Sequence, residues 1–205
     1  MRLLYDYPDC PYGQKVRVVL AEKELPYDLV TVDLKKNEQR SPEFLRKNPY
    51  GKVPVLEDED VIVYESTIIN EYLQDEYPYP PVMPDDSASR AKVRWLEDYS
   101  DSVFLPRVYW ILCELEKPEG ERDAARIEQY RNEIRQSLGW LQSQFLQQGA
   151  EFLVGDFSLA DIAFVPGLLV LSRLGVTLDP AWQALHAWIE RLRVRPSVRV
   201  LGLSG

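Results

Sequence analysis

The sequence predicts an α/β domain followed by an all-α domain, and three observations carry that prediction. Strand-like and helix-like patterns alternate over residues 1–77. A proline-rich run then interrupts the pattern, and beyond it apolar residues recur only at helical spacing. A chain of 205 residues has room for two small domains of this kind. The predicted boundaries are 1–77 for the α/β domain, 78–84 for the linker and 85–205 for the helical domain.

In order, residues 2–7 read as a strand, 11–24 as a helix on Val16, Val19 and Leu20, and 27–33 as a second strand. Ser41 is placed to cap a short helix with Pro42 at its first position. Residues 53–56 and 61–64 read as strands joined by an acidic turn, Glu57-Asp58-Glu59-Asp60, expected to be solvated. Ile68, Ile69, Tyr72 and Leu73 mark the next helix. The order β-α-β then α-β-β-α implies a small mixed sheet covered by helices. The run Tyr77-Pro78-Tyr79-Pro80-Pro81-Val82-Met83-Pro84 is too rich in proline for a helix or a central strand, so it reads as a stiff linker. A helix beginning near Ser87 should end or kink at Pro106. Ile127, Tyr130, Ile134, Leu138, Leu141 and Phe145 step by threes and fours along another. Ser158-Leu159-Ala160-Asp161 reads as a capping box opening a helix over 162–171, apolar all round and therefore the expected centre of the second domain.

Composition narrows the function. With 24 basic against 33 acidic residues the net charge is −9, which disfavours an electrostatic grip on nucleic acid or on an anionic membrane. No apolar run approaches the ~18 residues of a transmembrane helix, and the opening strand runs at once into an acid, unlike a signal peptide. Cys10 and Cys113 lie far apart, with neither a disulfide framework nor metal-ligand spacing. A reducing cytoplasm is the expected location.

The sharpest chemical feature is Cys10, in Tyr7-Pro8-Asp9-Cys10-Pro11-Tyr12-Gly13, between a strand and a helix. Unpaired backbone N–H groups and the positive end of a helix dipole favour a thiolate there. Pro11 suits the first turn, where its missing N–H has no partner to lose. Helix N-termini can bring a cysteine from ~8.5 into the range of ~3.5–7.5, so a depressed pKa and nucleophilic chemistry are expected.

Four motifs in order then carry a resemblance: Cys10-Pro11-Tyr12-Gly13, Asn48-Pro49-Tyr50-Gly51-Lys52-Val53-Pro54-Val55-Leu56, Tyr64-Glu65-Ser66, and Phe157-Ser158-Leu159-Ala160-Asp161. Over essentially its full length the chain resembles the cytosolic glutathione transferases, a thioredoxin-like domain followed by a helical one. It is most similar to the omega-type, cysteine-dependent members. The resemblance implies glutathione-dependent thiol transfer or reduction, on disulfide, dehydroascorbate-like or electrophilic substrates, with Cys10 as catalytic residue and glutathione as cosubstrate. It implies a cis peptide at Val53-Pro54, with Pro54 structural and the Val53 main chain pairing with the cysteinyl part of glutathione as a short added strand. Glu65 would meet the γ-glutamyl ammonium and Ser66 its carboxylate at a helix start. Lys52 would pair with the glycyl carboxylate, and Tyr12 and Leu34 would line the pocket. Where omega members often carry a lysine soon after the second strand, this chain has Asn37, beside Lys35 and Lys36. Gly13 stands where dithiol glutaredoxins have a second cysteine, so a mixed disulfide would be resolved by a second glutathione. A homodimer is implied, and no metal.

Other polar residues read as structural. Ser158 and Asp161 are explained by capping, Cys113 as a core or incidental residue, and His186 by a structural or surface role without a catalytic partner. Tyr5 and Tyr7 lie near the position of the activating tyrosine of other transferase classes but read as strand residues. Trp110, Tyr109 and Arg107 are candidates for either a second-substrate cleft or core packing. A second resemblance competes: the proline-rich run, together with Val16-Arg17-Val18-Val19-Leu20-Ala21-Glu22-Lys23, is similar to the stringent starvation protein A family. That implies a non-catalytic protein that binds RNA polymerase. Against it stand Tyr79, where that family has histidine, and Cys10, which that family does not keep.

Overall fold

The computed structural model describes residues 1–146 and 149–202. The chain divides into two units, Met1–Val82 and Met83–Gly205, the first α/β and the second helical.

The first unit is built on strand β1 (Arg2–Asp6), with parallel β2 (Asp28–Thr31) on one side and antiparallel β3 (Val55–Asp58) on the other; β4 (Val61–Tyr64) closes the order β2-β1-β3-β4. Helix α1 (Pro11–Glu22) forms the crossover between β1 and β2. Short α2 (Pro42–Lys47) is capped by Ser41, whose Oγ accepts the Phe44 N–H at 3.2 Å. Helix α3 (Ser66–Glu76) packs against α1. β3 begins at Val55 rather than 53, because Pro54 has no N–H to give the ladder. Alternation along β1 buries Leu4, opposite Leu56, and two residues on it buries Asp6. From α1, Val16, Val18, Val19 and Leu20 are wholly buried.

The acidic turn differs from expectation. Glu59 and Asp60 are exposed, but Asp58 is buried, 3.3 Å from Arg2 and accepting the Tyr77 hydroxyl at 2.8 Å. Glu57 accepts from Lys47 and from the Tyr5 hydroxyl, the latter at 3.1 Å. Two of the four acids therefore meet partners brought from 10 to 56 residues away, a distance that local pattern does not register.

The proline run is held by Lys23. Its Nζ donates to Gln74 Oε1 at 3.0 Å, to the Tyr77 carbonyl at 2.7 Å and to the Pro80 carbonyl at 2.9 Å. Val53–Pro54 and Tyr79–Pro80 are cis peptide bonds.

The second unit contains α4 (Ser87–Tyr99), α5 (Leu105–Leu115), α6 (Ala124–Gln144), α7 (Leu159–Leu168), α8 (Leu171–Leu174), α9 (Gln183–Arg193) and α10 (Pro196–Arg199). Asp86 caps α4 by accepting the Ser89 N–H at 2.9 Å. One π-type turn, Ser100–Phe104, carries the chain from α4 into α5, placing Pro106 in a first turn where no N–H is required. Every residue of α7 is buried, and α4, α5 and α9 pack on it. At its start Asp161 is fully buried among donors. Its Oδ2 accepts from the Ser158 N–H at 3.0 Å, and its Oδ1 accepts from the Leu153 N–H at 3.0 Å and Trp188 Nε1 at 2.8 Å.

Candidate active site

Cys10 stands immediately ahead of α1. Its N–H donates to the Tyr7 carbonyl at 2.8 Å, and its carbonyl accepts the Gln14 N–H at 3.0 Å. These bonds lock the Tyr7-to-Gln14 segment into a turn that enters the helix with Pro11 in the first position. The sulfur is buried in a cluster with Val32, Phe44, Val53 and Val55, against which Tyr5, Tyr7, Tyr12, Leu34 and Tyr64 also pack. The Cys10 thiol points to the Val53 carbonyl at 4.0 Å, a weak S–H donation.

Val53 is presented by a loop with its own fastenings. Asn48 is buried; its Nδ2 donates to the Lys52 carbonyl at 2.7 Å and its Oδ1 accepts the Tyr50 N–H at 3.0 Å. Gly51 turns the loop at φ 60°, where a side chain would also meet the Gln39 carbonyl at 3.0 Å. Beyond the loop Lys52 is exposed. Leu34 opens a one-turn 3-10 segment capped by Asp33, whose Oδ1 accepts the Lys35 N–H at 2.9 Å. Lys36 pairs with Asp33 at 3.1 Å, and Asn37 ends the segment in a left-handed conformation.

Glu65 precedes α3 at φ 69°, a backbone region disfavoured for a residue with a Cβ. Its side chain makes no cap bond and is exposed, while Ser66 is buried at the helix start. Strain of this kind gathers where a backbone is held for a purpose, and local sequence carried no signal for it. The structure thus gathers Cys10, Tyr12, Leu34 and Val53 about one cluster, and sets Glu65 and Ser66 at the opening of α3, the helix that follows β4. Tyr5 is committed to Glu57, and Trp110 packs edge-to-face on Tyr130 at 5.0 Å. His186 is exposed, with Nε2 3.1 Å from the Asp179 carbonyl. Among the described residues no group of three or more His, Cys, Asp or Glu is placed to hold a metal ion. No helix there is long and apolar enough to cross a membrane.

The electrostatics reverse the expectation of an acidic thiol. Burial and, next, the carboxylate of Asp6 push the Cys10 thiol up to about 12, outweighing the Gly13 and Tyr12 N–H groups and the charge of Arg17, which pull it down. A helix start is one contribution among several, and desolvation is the larger. Asp6 is the residue that sequence reasoning missed. The sequence offers it only as the acid that the opening strand runs into, yet it is wholly buried, and a Cβ on Gly13 would fall 1.8 Å from its Oδ1. Alternation from Leu4 was the available signal, since it places Asp6 on the core face of β1.

Comparison with known proteins gives matches over both units. Residues 4–81 match the family model described as glutathione S-transferase, N-terminal domain, and residues 77–196 match the corresponding C-terminal domain. The chain is 33% identical to a protein named stringent starvation protein A homolog of Pasteurella multocida (strain Pm70), over 100% of this chain and 91% of that one. It is 30% identical to glutathione S-transferase 2 of Saccharomyces cerevisiae, over 97% of this chain and 88% of that one. The structure of Ure2p in complex with glutathione matches it with a TM-score of 0.86 at 25% identity, covering 98% of this chain and 97% of the other.

Proposed function

Because the chain belongs to the glutathione transferase family, we propose that it is a glutathione-dependent thiol transferase with Cys10 as its single nucleophile. The observation that carries this reading is the juxtaposition of the Cys10 sulfur with the Val53 main chain, 4.0 Å apart. A tripeptide paired with Val53 as an added strand brings its cysteinyl sulfur to the nucleophile. Tyr12 and Leu34 wall that pocket, Lys52 takes the glycyl carboxylate, Glu65 the ammonium and Ser66 the γ-glutamyl carboxylate. In the cycle, the Cys10 thiolate attacks the glutathione sulfur of a mixed disulfide, forming a Cys10–glutathione disulfide and releasing the substrate thiolate. A second glutathione thiolate attacks the glutathione sulfur of that adduct, releasing oxidised glutathione and returning Cys10. Glutathione is the cosubstrate, no metal takes part, and the working form is a cytoplasmic homodimer.

The test is turnover of a glutathione mixed disulfide by the wild type and by Cys10→Ser. Turnover that disappears in Cys10→Ser, with a glutathione adduct on Cys10 in the mass spectrum of oxidised protein, supports the reading. Equal rates in the two proteins, or no turnover together with no glutathione binding by calorimetry, overturn it.

A second reading is a non-catalytic, stringent starvation protein A-like partner of RNA polymerase. One observation favours it, the similarity to the Pasteurella multocida protein over the whole of this chain, while Tyr79 and Cys10 still stand against it. Retention of RNA polymerase subunits by the immobilised protein, without mixed-disulfide turnover, would select this reading over the first.

A further inference from the structure

We propose that Asp6, a buried carboxylate set beneath the first turn of α1 against Gly13, is a positioning residue for Cys10 that governs how readily the thiol reacts. The proposal rests on the reading of Cys10 as the reacting thiol and adds what controls its readiness.

The geometry is that of a charge placed where a side chain belongs to the core. Asp6 is wholly buried on the same face of β1 as Leu4. Its carboxylate lies over the Cα of Gly13, so closely that a Cβ there would come within 2.2 Å of Cγ and of both oxygens. The fourth position of Cys10-Pro11-Tyr12-Gly13 is therefore filled from below by Asp6. Neither carboxylate oxygen has a partner at full hydrogen-bond geometry, and the Tyr7 N–H offers only a partial pull. Arg17 Nε stands 3.2 Å from Oδ2 without hydrogen-bond geometry, because the guanidinium is turned to the Pro8 carbonyl, to which its Nη2 donates at 2.5 Å. A buried carboxylate with one offset cation and no well-aligned donor is poorly compensated, and its charge is felt strongly by neighbours in a medium of low dielectric.

The groups that face it are few. Arg17 comes from α1 and Cys10 from the turn ahead of it; Tyr27, from the loop before β2, is raised by burial and further by Asp6, with Arg17 opposing. β2 sets Thr31 opposite Asp6 and sends the Val32 N–H to its carbonyl at 2.9 Å, adding no charge. Lys15 of α1 is placed over the Tyr12 ring, 5.6 Å from its centre. Burial raises Asp6 to about 7, against the pull of Arg17 and of the Tyr7 N–H. Asp6 thus ionises ahead of the thiol, and the pair titrates as a coupled system. With Asp6 protonated, the thiolate forms against burial alone. With Asp6 ionised, it forms against burial and a neighbouring negative charge.

The experiment is the rate of iodoacetamide alkylation of Cys10 against pH, read by mass spectrometry in a Cys113→Ser background, so that the exposed second cysteine does not contribute. Alkylation follows the thiolate, so an isolated thiol gives a log rate that rises with unit slope below its pKa. The expected wild-type profile falls below unit slope through the region near 7 where Asp6 ionises. Asp6→Asn restores unit slope and alkylates about tenfold faster in mildly alkaline solution, the change that a shift of about one unit brings. Unit slope in the wild type overturns the proposal, a result that needs no variant to fold. Identical profiles for the wild type and folded Asp6→Asn also overturn it, as does a Cys10 that is not alkylated at any pH. Glutathione appears nowhere in this assay, so failure of mixed-disulfide turnover and failure of this coupling are separate results.

Discussion

Two aspartates are wholly buried among the described residues, and the structure treats them oppositely. Asp161, at the start of α7, receives the N–H groups of Leu153 and Ser158 and the indole N–H of Trp188. Asp6, at the end of β1, receives no well-aligned hydrogen bond and has one offset guanidinium beside it. Burial raises both carboxyls, Asp161 to about 6 against the pull of its donors and Asp6 to about 7 against the pull of Arg17. The first ties a loop, a helix start and a neighbouring helix into one fastening. The second fastens little and sits under the only buried thiol among the described residues. Burial of a charge is thus no sign of its purpose; the donors around it are.

Substitution separates the two most sharply at Asp161. In Asp161→Asn one acceptor becomes an NH2 group turned toward buried donors, leaving at least one of them unpaired. A loss of about 3–5 kcal/mol in denaturant unfolding is expected. A loss below about 1 kcal/mol would remove the contrast.

Next in size is Gly13→Ala. Its methyl group falls 1.8 Å from Asp6 Oδ1, so the carboxylate or the helix start must move, at a cost of about 2–4 kcal/mol. Placing Gly13→Ala on an Asp6→Ala protein should recover at least about 1 kcal/mol of that loss. Strict additivity in the double-mutant cycle would show that the two positions do not share space in solution.

The smallest effect has the opposite sign. The folded-state carboxyl of Asp6 lies above its ordinary value of 3.8, at about 7, so the native state binds this proton more tightly than the unfolded chain does. Stability from that group is complete below the unfolded value and is lost as pH rises through about 7. Asp6→Asn removes the ionisation, and should therefore be more stable than the wild type by about 2 kcal/mol in mildly alkaline solution. The advantage should vanish in acid, where the wild-type group is also neutral. Paired urea titrations at the two pH values measure it, and an advantage that persists in acid would assign the gain to packing instead.

Much of this was legible before any tertiary contact was known. The capping pattern at Ser158 and Asp161, the apolar helix behind it, the strand-to-helix step at Cys10 and the proline-rich interruption are all local signals. Each is a property of a few consecutive residues acting on their own backbone. Glu65 shows where that legibility stops: its φ of 69° follows from how β4 is joined to α3, and no residue type announced it. The acidic turn failed for the same reason, since Asp58 depends on Arg2, far away in sequence, to be worth burying.

The pattern of this chain determined by itself that a cysteine would open a helix after a strand, because turn chemistry and helix capping act within a few residues. Whether that cysteine is acidic or quiescent was decided only by the tertiary structure. Val32, Phe44, Val53 and Val55 close over the sulfur, and Asp6 brings a charge beneath it. Desolvation and Coulomb interaction depend on distance in space, and folding sets that distance.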